Sequence, residues 1–118
     1  MTVKQAQGIQ PMIALLSIAL AAGGIFESGN DLYETCMADR QGACSAYVAG
    51  IADEISTLQA TKSTKPLYCP SPRITLGQAR DIVLKYLIDH PEQRDQYAAS
   101  LASVALWTAF PCPIGRPK

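Results

Sequence analysis

The stretch ACSAYVAGIADEISTL, residues 43–58, decides how the rest of the chain is read. Within it Cys44, Tyr47, Val48, Ile51, Ile55 and Leu58 recur at steps of three and four, while Ser45, Ala49, Asp53 and Ser56 fall on the opposite side. At 3.6 residues per turn this spacing gathers one apolar stripe on a helix, and the stripe needs other elements to cover it. Strand-like alternation is weak throughout the sequence. The chain has 118 residues, enough for one domain. The expectation is an all-α fold, a compact bundle of about four helices.

Working outward, Ser28 followed three residues later by Asp31 reads as a capping box. Leu32, Tyr33, Cys36 and Met37 then recur at helical spacing up to the turn Asp39-Arg40-Gln41-Gly42, which makes a short first helix. On the other side, Thr61 to Ile74 is rich in Lys, Ser and Thr and holds Pro66, Pro70 and Pro72, so it predicts a long exposed loop. Thr75 with Gln78 opens a third helix, with Leu76, Ala79, Val83 and Leu87 on one face, and Pro91 ends it after His90. Asp95 to Phe110 predicts a fourth helix that is apolar nearly all round. Ala98, Leu101, Ala102, Ala105 and Ala109 form its core face, and Leu106, Trp107 and Phe110 its far side. Two apolar faces admit two uses for the second: an interface in a homodimer, or a fold-back of Trp107 and Phe110 under the Pro-rich loop.

The N-terminus resembles an export signal. Lys4 supplies the cationic start, Met12 to Leu20 the apolar centre, and Ala19 to Ala22 the small residues a signal peptidase requires. Cleavage is expected after Ala21 or Ala22, giving a signal peptide over residues 1–22 and a single helical domain over residues 23–118. Met12 to Phe26 falls short of the roughly 20 apolar residues that span a bilayer. The mature protein is therefore expected to be soluble, without a membrane anchor, in an oxidising periplasm.

In that compartment four cysteines read as two disulfides, for which three pairings exist. The expected pairs are Cys36 with Cys44, stapling a helix-to-helix turn, and Cys69 with Cys112, tying the Pro-rich loop to the C-terminal tail. Each contributes about 2–4 kcal/mol, a large share for so small a domain. With no C-x-x-C and one histidine, the spacing of a structural zinc site is absent.

Lys plus Arg and Asp plus Glu both number 10, which disfavours a nucleic-acid or anionic-membrane partner. The charge is nevertheless split. Residues 27–60 carry six acids against Arg40 alone, and residues 61–118 carry eight basic side chains against four acids. Such a split suits the steering of a protein partner, and equally a plain solvated surface. His90 sits where a cationic ring complements a helix C-terminus. No nucleophile turn and no phosphate-cradling glycine loop occur, and Asp53 and Glu54 lie on the polar flank of their helix, so no catalytic site, metal site or cofactor is assigned.

Five stretches together resemble a known family: SGNDLYETC (28–36), ACSAYVAGIAD (43–53), CP (69–70), ITLGQARDIVLKYLIDHP (74–91) and AFPCP (109–113). In their order, spacing and four cysteines they are similar to the Rap/Tai immunity proteins of type VI secretion peptidoglycan-amidase toxins. The resemblance implies a small all-helical periplasmic protein, often dimeric and not an enzyme, which binds an amidase effector delivered by sister cells and blocks its catalytic cleft. Toxin contacts are then expected from exposed connections: Lys62, Ser63, Thr64, Lys65 and Tyr68 in the loop, and His90, Glu92, Gln93 and Arg94 in the following turn. Gly50, within the family-like signature, is expected to permit close helix packing. The competing expectation is a small periplasmic helical binding module or acid-stress chaperone with no cognate toxin.

Overall fold

A computed structural model describes residues 26–38 and 42–113. The leader, residues 1–22, and the turn residues Asp39, Arg40 and Gln41 lie outside that range. Four helices follow in order: α1 (Gly29–Ala38), α2 (Ala43–Ala60), α3 (Leu76–Asp89) and α4 (Ala98–Ala109), with a 3-10 turn at Pro91–Gln93. Each helix packs against the other three. Among the described residues the extended pairings are two isolated bridges, Ser28 with Tyr97 and Tyr68 with Pro111.

The first turn of α1 shows how local and distant residues share one task. A helix N-terminus leaves N–H groups without an internal acceptor. Here the Gly29 N–H donates to Gln96 O at 2.8 Å and the Asn30 N–H to Arg94 O at 2.7 Å. The Asp31 N–H donates to Ser28 Oγ at 3.1 Å, and the Ser28 N–H donates back to Asp31 Oδ2 at 3.0 Å, which is the expected capping box. Asp31 also accepts from the Ser28 hydroxyl at 2.9 Å. The Ser28 N–H and then its hydroxyl hold this carboxyl below the ordinary aspartate value. The native state thus binds the proton less tightly than the unfolded chain, so the contribution is present above the ordinary carboxylate range and lost as pH falls through the folded value. Wild type and Asp31→Ala, titrated with urea at about pH 5 and about pH 2.5, are expected to differ more at the higher pH; an equal difference at both would contradict the cap.

The expected stripe of α2 turns inward, with Cys44, Val48 and Ile55 buried and Tyr47, Ile51 and Leu58 half-buried. The helix starts from Gly42 at φ 72°, a left-handed conformation that glycine adopts without a Cβ clash. In α3, Thr75 and Gln78 complete a second capping box, and Ala79, Val83 and Leu87 are buried; Leu76, in the opening turn, is 47% exposed. Met37, at the end of α1, is likewise exposed at 53%. Both disulfides form as expected, Cys36–Cys44 and Cys69–Cys112, each with Cα atoms 4.8 Å apart.

The fourth helix differs from expectation in two ways. It begins at Ala98 and not Asp95, because Gln96 O is committed to capping α1, Tyr97 bridges to Ser28, and the Ala98 N–H donates to Glu27 O at 3.0 Å. Its core face is Ala98, Leu101, Ala102, Ala105 and Leu106, all buried, while Ala109 is exposed. Leu106 lies four residues beyond Ala102 and so continues the same stripe. The expected placement of Leu106 on a second, dimer-forming face is corrected: it is fully buried within its own chain.

Glycine roles also differ from expectation. Gly50 is exposed, and a Cβ there would meet nothing within 4 Å, so it does not serve close packing. Gly50→Ala is expected to stabilise by about 0.5–1 kcal/mol, read as a higher urea midpoint, since alanine loses less backbone entropy in a helix interior. Close approach occurs at Gly29 instead.

Candidate interaction surface

Helix α2 ends in backbone geometry that launches the loop. The Lys62 N–H donates to Gln59 O at 3.0 Å and the Ser63 N–H to Leu58 O at 2.8 Å, the two bonds of a Schellman motif. Such a motif places one residue in the left-handed region, usually glycine. Here it is Lys62, at φ 61°. A lysine in that conformation costs about 1–2 kcal/mol, so Lys62→Gly is expected to stabilise the protein by about 1 kcal/mol in urea unfolding.

Further along, the Gln59 side chain pins the returning segment. Its Oε1 accepts from the Leu67 and Tyr68 N–H groups, both at 2.8 Å, and its Nε2 donates to Tyr68 O at 2.9 Å. Lys62 to Leu67 is therefore a loop with both ends fastened to α2. Tyr68 faces inward, 5% exposed, edge-on to Phe110 with centroids 6.3 Å apart. Burial, and then the charge of Asp53, push its phenol above the ordinary tyrosine value. Tyr68 is corrected from a contact residue to a core residue that seats the loop. Lys62, Ser63, Thr64 and Lys65 are exposed, as expected, and neither lysine has an ion-pair partner among the described residues.

Beside this loop the surface is apolar. A hollow of about 270 Å3 runs between α2 and α4, with Ile55, Leu58, Leu67 and Trp107 on its walls. Leu67 and Trp107 also border a second hollow of about 650 Å3, closed by Lys65, Pro66, Pro111, Cys112 and Pro113. Trp107 is half-buried, and Phe110 folds back against Tyr68 as the fold-back alternative required.

The turn after α3 is a different structure in a different place. His90 stacks on Tyr86 with centroids 4.0 Å apart, and its Nδ1 lies 2.9 Å from Tyr86 O. Gln93 Oε1 accepts from the Tyr86 hydroxyl at 3.0 Å, and the Arg94 guanidinium lies 3.8 Å above the Tyr33 ring. These three side chains are half-buried and hold the turn that caps α1; Glu92 alone of the four is exposed. Gln93 and Arg94 lie just before the N-terminal end of α4, while His90 lines a hollow with Ala105, Thr108 and Ala109; the loop meets the C-terminal end, through Tyr68 and Pro111. The twelve residues of α4 separate the ends by about 18 Å at 1.5 Å per residue. Gln93 and Arg94, engaged by Tyr86, Tyr33 and the start of α1, do not share a surface with the loop. Gln59 carries no charge and matches no motif, and only its position at the end of α2 hinted at its part.

Among the described residues no group of three or more His, Cys, Asp or Glu is placed to hold a metal ion, and no helix is long and apolar enough to cross a membrane. A disulfide-stapled helical domain that fastens a basic loop beside an apolar hollow has the form of a binding protein. The chain belongs to the Rap1a immunity protein family, whose model matches residues 28–112. It is thus an immunity protein for a secreted toxin. No curated protein and no solved structure matches the chain.

Proposed function

We propose that the protein acts in the periplasm, after removal of residues 1–22, and neutralises a peptidoglycan amidase delivered by type VI secretion. The loop Lys62–Lys65, with Leu67 and Trp107 beside it, enters the toxin's active-site cleft and excludes substrate. The observation that carries this reading is the way the loop is held. Gln59 and the Schellman turn preset its backbone, so little ordering entropy is lost on binding. Lys62 keeps its side chain at the loop's start although its backbone conformation favours glycine. Two exposed lysines without an ion-pair partner among the described residues suit an acidic rim on the toxin. Two disulfides accord with an exported protein. Leu106, buried within its own chain, takes no part in contact with a second copy.

The test is periplasmic co-expression with a candidate amidase. Cells are expected to survive and the two proteins to co-purify, and the double charge reversal Lys62→Glu with Lys65→Glu is expected to abolish both outcomes while the purified variant melts normally. Lysis despite the wild-type protein, without co-purification, would exclude that amidase as the target. Full protection by the charge-reversed variant would exclude this loop as the inhibitory element.

A further inference from the structure

The two disulfides differ in their access to solvent and in what they hold. Cys36 and Cys44 are 2% and 0% exposed, within the core. Cys69 is exposed and Cys112 half-buried. Thiol–disulfide exchange needs an attacking thiolate to reach a sulfur, so at equal reagent the outer bond reacts first. That bond joins the segment after α4 to the base of the candidate loop. Besides the disulfide, the segment is held there by the Cys69 N–H donating to Phe110 O at 2.8 Å, by the Tyr68–Pro111 bridge and by the ring contact of Tyr68 with Phe110. Pro111, Cys112 and Pro113 form one wall of the hollow that Leu67 and Trp107 border.

We propose that Cys69–Cys112 is a reducible latch on the binding surface: reduction opens this bond alone, releases the wall at Pro111–Pro113, and weakens capture of the partner while the four-helix body stays folded. The chemistry is two-step exchange with a dithiol. One thiolate of the reductant attacks Cys69 Sγ and expels the Cys112 thiolate. The second thiolate then attacks the mixed disulfide, releasing the Cys69 thiolate and leaving the reductant as its own disulfide; two electrons pass to the protein pair. Helix α2 keeps its tie to α1 through Cys36–Cys44, and Gln59 still holds Leu67 and Tyr68. The effect on partner binding rests on the loop's being the toxin contact; the selective opening does not.

The experiment treats the purified oxidised protein with graded dithiothreitol at about pH 8, where the reagent's thiolate is populated. Alkylation and peptide mapping are expected to find Cys69 and Cys112 labelled at least tenfold before Cys36 and Cys44, with helical circular dichroism unchanged. Trp107 is the sole tryptophan, so its quenching by acrylamide reports the hollow directly; the quenching constant is expected to rise at least twofold in the half-reduced protein and in Cys69→Ser/Cys112→Ser alike. Joint release of all four thiols, or unchanged quenching in both samples, would overturn the latch. With the amidase captured by co-expression, the half-reduced form is expected to bind at least tenfold more weakly, and equal affinity would overturn the regulatory part. Should no amidase be captured, the function proposed above fails for that pair, and thiol mapping and quenching still decide the latch.

Discussion

Replacing Cys69 and Cys112 together by serine is expected to lower the free energy of unfolding by about 4 kcal/mol, the larger of two disulfide effects in this protein. The bond joins residues 43 apart in sequence, and the entropy removed from the unfolded chain grows with the logarithm of the loop it closes. The Cys36–Cys44 separation of 8 gives about 2.5 kcal/mol on the same relation. Against a typical domain stability of about 5–15 kcal/mol, the loss leaves a folded but weakened protein. Because the effect acts mainly on the unfolded ensemble, the helical content of the variant should match that of wild type. Urea unfolding at 25 °C measures it. A loss below about 1 kcal/mol would show that the bond constrains little beyond what the Tyr68–Phe110 contact already does.

Gly29→Ala should cost about 3 kcal/mol, although alanine is the better helix former. A Cβ at this position would stand 2.8 Å from Arg94 Cα and 2.9 Å from Arg94 O, and closer still to Leu101 Cδ1. Leu101 can rotate, but the backbone of Arg94 cannot withdraw without breaking the bond its carbonyl accepts from the Asn30 N–H. Overpacking of this kind costs roughly 1–3 kcal/mol, and loss of the cap brings the variant to the upper end. In a domain of this size each kcal/mol moves the melting temperature by about 4–8 °C, so a fall on the order of 15 °C is expected. Gly50→Ala, in the same experiment, should move it the other way. A Gly29→Ala protein that melts within a few degrees of wild type would mean that α1 shifts freely against the turn at Arg94.

The contrast between these glycines marks where the sequence stops being informative. Gly29 follows the Ser28 cap and Gly50 sits mid-helix, yet neither position names the atoms that the fold brings against it. The same holds for the loop and the turn proposed as contacts: both are polar connections, yet one stands free while the other is used up holding α1. Local signals were clear where the physics is local. Ser28 with Asp31 and Thr75 with Gln78 formed their capping boxes, Pro91 ended α3 at His90, and the stripe from Cys44 to Leu58 turned inward.

The class of fold, four helices, was therefore legible before any packing, as were the two capping boxes and the stop at Pro91, while the cysteine pairing was one expectation among three that the fold then realised. Helical periodicity and capping act between residues three or four apart, within reach of a local reading. Packing made Leu106 core and Tyr68 a seat and not a contact, and long-range hydrogen bonds let Gln59 fasten the loop and set the Arg94 and Gln96 carbonyls on the start of α1. Each of these depends on hydrogen bonds and packing between groups brought together by the fold. An unpaired N–H at the start of α1 has no preference in sequence for Arg94 or Gln96; it acquires one only when the chain delivers their carbonyls to within 3 Å.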